Sequence, residues 1–191
     1  MNTNISLKQI NKLAIPAIIA GISEPILSLT DAAIVGHMSD HATESLAAVG
    51  IVTAFLSMLI WVLGQSRSAI SSIISQYVGA NKLNEVKALP SQAIAIILII
   101  ATIICFITYP LSKSIFSLYN ASDLLLDYCV SYYKIRVIGL PLTLYVFAVF
   151  GVFRGLQNTY YPMKIAISGA TINILLDFVL VYGIKDWFLP L

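Results

Sequence analysis

Long apolar stretches, separated by short polar links, make up almost the whole chain. Five of them are long enough for a helix to cross a bilayer, which takes about 20 apolar residues. They lie at residues 12–36, 46–79, 90–118, 124–155 and 160–183. The links contain helix-breaking residues at 79–81, 119–122 and 157–159. The pattern predicts an all-α, polytopic membrane helix bundle of five transmembrane helices, with consecutive helices antiparallel.

Composition supports the same class of protein. Of the 191 residues, 59% are apolar and 10% are charged, whereas soluble domains carry about 25% charged residues. The lipid bilayer is therefore the main partner, and no room remains for an aqueous catalytic domain. A net charge of +2 gives no reason to expect a nucleic-acid partner. Cys105 and Cys129 lack metal-ligand spacing, so we interpret both as packing residues and predict no metal site and no catalytic residues.

Basic residues predict the orientation of the chain, since cytoplasmic loops retain positive charge. Six of them fall on one predicted side, namely Lys8, Lys12, Lys82, Lys87, Arg154 and Lys164. The N-terminus is thus expected in the cytoplasm, in a multi-pass protein of the inner (cytoplasmic) membrane. The first helix is too long for a signal-peptide core and is expected to remain in the mature protein.

Acidic residues inside the first apolar stretch are candidates for function. Glu24, Ser28 and Asp31 are spaced by four and three residues, which places them on one helix face. A charge at membrane depth costs about 2.5–3.5 kcal/mol on insertion scales and normally faces a bundle interior or a watery cavity. Pro16 and Pro25 lie in the same helix, where each removes a backbone hydrogen bond. We expect a bend or a freed carbonyl near Glu24, where backbone groups could coordinate an ion. The alternative is a kink that serves helix packing alone.

The last apolar stretch carries a second polar group. Asn173 and Asp177 are four residues apart and share a face, and Thr171 lies shortly before them. Burial disfavours the charged form of a carboxyl group, and reversible protonation is what a proton-coupled switch needs. The structural alternative is an interhelical hydrogen bond. Glu24, Ser28 and Thr171 are candidates for accessory groups in the same cavity.

Other charged and polar residues are interpreted as structural or surface residues. Arg67 follows the apolar part of the second stretch and either pairs with a carboxylate or extends to the interface, as charges near helix ends commonly do. His37 and His41 are four residues apart beside Gly36, which indicates a loop rather than a helical metal site.

Several short motifs, taken in order, resemble the multidrug and toxic compound extrusion (MATE) transporter family, in its DNA-damage-inducible branch. These motifs are Leu13-Ala14-Ile15-Pro16, Asp31-Ala32-Ala33-Ile34-Val35-Gly36-His37, Ser75-Gln76-Tyr77-Val78-Gly79-Ala80, Arg154-Gly155-Leu156-Gln157 and Asn173-Ile174-Leu175-Leu176-Asp177. The resemblance covers nearly the whole chain. It implies a secondary active transporter that exports small amphipathic or cationic compounds, driven by entry of H⁺ or Na⁺ and without another cofactor.

The resemblance also implies site residues. Asp31 matches the aspartate of the family's first helix, and Asn173 with Asp177 matches the pair on the fifth helix that lines the cavity of the N-terminal lobe. Glu24 has no counterpart in that pattern. Such transporters have two six-helix lobes, of which this chain supplies five helices. Helix six and the C-terminal lobe are expected in cis, beyond this portion, or in a partner half, and the chain alone is expected not to transport.

Three alternatives belong to other functional classes or branches. A lipid-linked oligosaccharide or polysaccharide flippase of the same superfamily would be expected to have a more cationic cavity. An intramembrane aspartyl protease would need Tyr-Asp and Gly-x-Gly-Asp motifs, whereas Asp31 follows Thr30 and Asp177 follows Leu176. A non-transporting membrane assembly module would not need carboxylates at mid-depth.

Overall fold

The computed structural model describes residues 6–36 and 42–182, and every regular element in these ranges is helical. A short 3-10 helix, Leu83–Val86, accompanies seven α-helices in the described part of the chain. These are α1 (Leu7–Gly36), α2 (Ala42–Gly64), α3 (Ser66–Gly79), α4 (Leu89–Leu118), α5 (Asp123–Ile138), α6 (Leu140–Gly155) and α7 (Tyr160–Tyr182). The all-α prediction is confirmed.

Several helical stretches in the described ranges are long enough to cross a membrane. Four helical stretches are long and apolar enough to cross a membrane, and α5 with α6 makes a fifth if the bent pair is one span. The four are Leu7–Ile34, Thr43–Gly79, Leu83–Leu118 and Tyr160–Leu180. In lipid a helix satisfies its backbone hydrogen bonds internally, so long apolar runs become helices. The first helix begins at Leu7, five residues before the predicted range.

Two of the predicted spans are interrupted. The stretch 46–79 divides at Gln65 into α2 and α3. The stretch 124–155, interpreted from sequence as one helix, is two helices that meet at an angle of 43° around Gly139. Pro141 lies in the first turn of α6, where its missing amide and its ring end the preceding helix. α5 therefore stops at Ile138.

The predicted links between helices contain the residues that turn the chain. Asn81 (φ 57°), Asn120 (φ 63°) and Gln157 (φ 58°) all have left-handed backbone conformations. Asparagine tolerates this region better than most residues. In the described part of the chain, α3, α4 and α6 end at or just before these link positions.

The chain divides into two compact units, one formed by residues 1–42 with 157–191 and the other by 43–156. In the first unit, α1 packs along α7. In the second unit, α6 packs against both α3 and α4, and α4 also packs against α5. The predicted acidic residues at 24, 31 and 177 all fall in the first unit.

An aromatic cluster holds the core of the second unit. Phe55 of α2, Phe116 of α4 and Tyr133 of α5 make edge-to-face pairs with ring centroids 5.2–5.9 Å apart. The Tyr133 hydroxyl donates to Thr108 Oγ1 at 2.5 Å. Such aromatic pairs contribute about 0.5–1.5 kcal/mol beyond their buried area, so the cluster joins three helices at one place.

Glycine residues bring α3 and α6 into close contact. A Cβ atom built on Gly151 would lie 2.6 Å from the Arg67 carbonyl oxygen, and one on Gly155 would lie 2.6 Å from Ile74 Cβ. Two glycines four residues apart form the small-xxx-small pattern that lets membrane helices approach closely. The contact needs glycine at both positions.

Candidate cation-binding site

Asp177 and Asn173 place a carboxyl and an amide group one turn apart on α7. The helix is continuous from Tyr160 to Tyr182, so their four-residue spacing aligns them as the sequence pattern indicates. Both residues are partly buried. The pair therefore presents oxygen atoms from two side chains on one face of a membrane-spanning helix.

One carboxyl oxygen of Asp177 is buried away from every hydrogen-bonding group that the structure describes. Asp177 Oδ2 is buried and has no hydrogen-bond partner among the described residues. Leaving a buried acceptor unsatisfied costs about 1–3 kcal/mol, and more for a charged group. A proton, a water molecule or a metal cation would each remove this cost. A buried carboxyl oxygen in a spanning helix, with no partner among the described residues, can in chemical terms accept a proton or a cation.

Helix α1 runs beside α7 and carries the other predicted acidic residues. Its backbone is helical from Leu7 to Gly36, through Pro16 and Pro25. The side chains of Glu24 and Asp31 lie outside the described part of the structure, as do residues His37 and His41. The role of the acidic side chains on α1 therefore remains a prediction from the sequence.

The prolines of α1 free backbone acceptors. Proline lacks an amide hydrogen, so Pro25 gives no hydrogen bond to the carbonyl of Gly21, four residues earlier. Pro16 likewise gives none to the carbonyl of Lys12. Discontinuous or strained helices in transporters expose such carbonyls for ion coordination. α1 is one helix through both prolines, and a bend at either stays a prediction.

The accessory candidates have different surroundings. Thr171 is exposed, and its hydroxyl donates to the Ile167 carbonyl at 2.9 Å, which leaves its oxygen available as an acceptor. Ser28 is exposed on α1. In the described part of the chain, neither side chain has a hydrogen bond to Asp177.

Sequence reasoning overlooked a residue that joins the two helices of the first unit. Thr159 precedes α7, is 8% exposed, and donates its hydroxyl to the Leu13 carbonyl of α1 at 3.0 Å. Threonine directly before a helix is a common N-cap, so the position of Thr159 before the last predicted helix could have marked it as a structural residue. Here the hydroxyl instead bridges to α1, so it fixes the start of α7 against the start of α1.

The described ranges are helical and contain four or five candidate spans, one of which has a buried carboxyl oxygen with no described partner. These are features of a membrane transporter. The family model described as MatE matches residues 16–179. The chain belongs to this family, the MATE transporters, which are cation-coupled and are not enzymes. The family resemblance inferred from the motifs is confirmed.

Curated relatives are similar to this chain over most of its length. DNA damage-inducible protein F of Escherichia coli (strain K12) is 27% identical over 173 residues, 90% of this chain and 37% of the relative. Multidrug resistance protein MdtK of Edwardsiella ictaluri (strain 93-146) is 29% identical over 171 residues, with the same coverage of 90% and 37%. The chain thus spans 37% of the length of these relatives.

Solved structures share the fold. A MOP superfamily transporter from Pyrococcus furiosus matches 95% of this chain with a TM-score of 0.81 and 24% identity, over 39% of that chain. A MATE protein in complex with MaD3S matches 93% of this chain with a TM-score of 0.81 and 24% identity, over 40% of that chain. These likenesses confirm that the chain has the fold of part of a MATE transporter.

Proposed function

We propose that this chain provides the cation-binding portion of a coupled exporter, with Asp177 as the group that takes up the driving H⁺ or Na⁺. The observation that carries the proposal is the buried Asp177 Oδ2 without a hydrogen-bond partner among the described residues. Asn173, one turn earlier, would orient the carboxyl group or add an oxygen ligand. Asp31 of α1 is proposed as the second acidic group, with Glu24 as an accessory.

The proposed coupling step involves α1. Uptake of a cation by the acidic residues would remove negative charge from the interior of the first unit and reduce the hydrated volume that charge retains. α1, with two interior prolines and freed carbonyls, is the helix least able to resist bending. Its bending would favour the state that releases substrate outward. The proposal assigns the driving force to neutralisation of charge and the movement to α1.

The substrates are proposed to be small amphipathic or cationic compounds. This follows from family membership and from relatives named as multidrug resistance proteins. Because the chain spans 37% of such relatives, export is proposed for this portion together with a C-terminal lobe, in cis or as a partner half. Alternating access needs one bundle to move against another. The membrane is proposed to be the cytoplasmic membrane, with the N-terminus inside.

Carbodiimide labelling tests the proposed site directly. Dicyclohexylcarbodiimide reacts with protonated carboxyl groups in apolar surroundings, and peptide mass spectrometry locates the label. The purified chain in detergent is expected to be labelled at Asp177, less so as pH rises. Protection by NaCl but not by choline chloride at constant ionic strength would identify Na⁺ as the coupling ion. Protection by raised pH alone would identify H⁺.

Asp127 of α5 is the internal control because it is an aspartate of the same chain in the second unit. Its labelling should not depend on Na⁺. Equal labelling of Asp177 and Asp127 at every pH and salt concentration would contradict the proposed site. Asp177→Asn in a complete homologue should abolish cation-driven efflux, and unchanged efflux would contradict the coupling role. Proteoliposomes of the 191 residues alone should show no dye efflux.

A further inference from the structure

Two arginines of the second unit lie beside the contact between α3 and α6. Arg67 is at the start of α3, and its carbonyl oxygen faces Gly151 of α6 so closely that a Cβ atom there would be 2.6 Å away. Arg154 is one turn after Gly151 on α6. Side chains of a helix point toward its N-terminus, so the Arg154 guanidinium extends back toward the level of Gly151 and Arg67.

The surroundings of these arginines orient and partly dehydrate them. The Arg67 guanidinium lies over the Phe147 ring, 4.7 Å from its centroid, and Phe147 is one turn before Gly151. Arg154 is partly buried, and the charged group that acts on it is Arg67. A contact with an aromatic ring does not use up the five N–H donors of a guanidinium group, so Arg67 can still donate hydrogen bonds to a ligand. Two guanidinium groups thus lie beside the α3–α6 contact, near enough for the charge of Arg67 to act on Arg154.

No counter-charge accompanies this pair in the described part of the chain. The ion pair found there is Lys82–Glu85, at 3.2 Å, and neither arginine has a carboxylate within bridging distance. Like charges in a partly dehydrated place repel more strongly than in water. Extension into water lowers this cost, but each of these two arginines is only partly exposed, so part of the repulsion remains. The arrangement is therefore suited to an anion.

The position along the span indicates which anion. The span that contains Arg67 begins at Thr43, and a rise of 1.5 Å per residue puts Arg67 about 36 Å further along, past a hydrocarbon core of about 30 Å. Both arginines are partly exposed, so a molecule at the membrane surface can reach them. Phospholipid headgroups occupy this level.

We propose that Arg67 and Arg154 form a binding site for the phosphodiester of an anionic phospholipid headgroup. Guanidinium groups bind phosphate oxygens with paired, charge-assisted hydrogen bonds. Basic pockets between membrane helices are known to bind anionic headgroups in this manner. The site lies in the second unit, does not involve Asp177, and does not depend on the proposed coupling function. A bound lipid would neutralise the pair and hold α3 against α6.

Arginine modification on the unaltered chain is the first test. The chain has three arginines, Arg67, Arg136 and Arg154, and phenylglyoxal modifies accessible guanidinium groups at rates that peptide mass spectrometry follows separately. Arg136 is the internal control, because it also lies over an aromatic ring, Tyr132, at 5.9 Å. With phosphatidylglycerol at about ten times its Kd, modification of Arg67 and Arg154 should slow about tenfold. Modification of Arg136 should not change.

Two further arms identify the source of the phosphate. Phosphatidylcholine, which has the same phosphodiester but no net charge, should protect much less. Inorganic phosphate in lipid-free detergent should protect Arg67 and Arg154 only weakly from modification. If it protects them as well as phosphatidylglycerol does, the assignment to a lipid headgroup is overturned. Equal protection by phosphatidylcholine, or slowing of Arg136 to the same extent, would overturn the site itself.

Variants measure the contribution of each arginine. Native mass spectrometry of lipid adducts should show phosphatidylglycerol binding about tenfold weaker for Arg67→Gln and for Arg154→Gln, a ratio that corresponds to about 1.4 kcal/mol. Arg136→Gln, the matched loss of one charge, should bind like the wild type. Arg67→Lys keeps the charge but not the paired hydrogen bonds and should lie between. Wild-type binding by both glutamine variants would overturn the proposal.

Discussion

Replacing Gly151 by alanine places a methyl group where α6 meets the backbone of α3. The new Cβ would lie 2.6 Å from the Arg67 carbonyl oxygen and 3.1 Å from Arg67 Cα. Ordinary contact for a Cβ atom begins at 3.4 Å. Because the obstructing atoms belong to the backbone, a side-chain rotation cannot relieve the overlap. α3 and α6 must separate by several tenths of an ångström.

Two opposing terms set the size of the effect. Overpacking of this kind costs about 1–3 kcal/mol, whereas alanine in place of glycine favours the helix by about 1 kcal/mol. Gly151→Ala should therefore lower the free energy of unfolding by ~0–2 kcal/mol. Gly50→Ala in α2 is the matched control, because a Cβ on Gly50 meets nothing within 4 Å. That variant keeps only the favourable term and should be more stable than the wild type.

Unfolding in detergent, followed by circular dichroism, compares the three proteins. The expected order of midpoints is Gly50→Ala, wild type, then Gly151→Ala, with the two variants separated by about 1–3 kcal/mol. Gly155→Ala should resemble Gly151→Ala, since its Cβ would lie 3.0 Å from the Ser71 carbonyl oxygen as well as against Ile74. A Gly151→Ala midpoint equal to that of Gly50→Ala would refute the close α3–α6 contact.

Two hydrogen bonds give further predictions. Tyr133→Phe removes the donor to Thr108 but keeps the ring, so it should lower the free energy of unfolding by about 0.6 and at most about 1.7 kcal/mol in the same assay. Phe116→Ala empties a fully buried site and should lower it by ~3–5 kcal/mol. Equal losses for the two variants would contradict the assigned roles. Thr159→Val removes the donor to the Leu13 carbonyl at nearly constant side-chain volume. Amide hydrogen exchange should then be faster in the first turns of α1. Unchanged exchange there would show that this hydrogen bond does not hold the start of α1.

The helices were predictable because lipid leaves the backbone few options. A long apolar run in a membrane must be helical, since no water is present to pair with its amides and carbonyls. The links were predictable because Asn81 and Asn120 stop helices through their own conformational preferences. The division of the fourth predicted span into α5 and α6 was not predicted from the sequence. Its signal, Gly139 followed by Pro141, also occurs within continuous membrane helices, and α1 itself continues through Pro16.

In the candidate site, the sequence predicts which residues share a helix face but not which atoms their side chains contact. Periodicity on one helix determines that Asn173 and Asp177 share a face, because the rotation per residue is fixed. Whether a given carboxyl oxygen finds a donor depends on side chains that come from other parts of the chain, and spacing carries no such information. The same reason applies to Arg67, whose sequence context suggested either a carboxylate partner or extension into water. The structure gives it an aromatic ring, with a second arginine nearby and no described carboxylate within bridging distance. Sequence patterns thus identified which polar residues are unusual, and packing determined which of them have no partner in the described part of the chain.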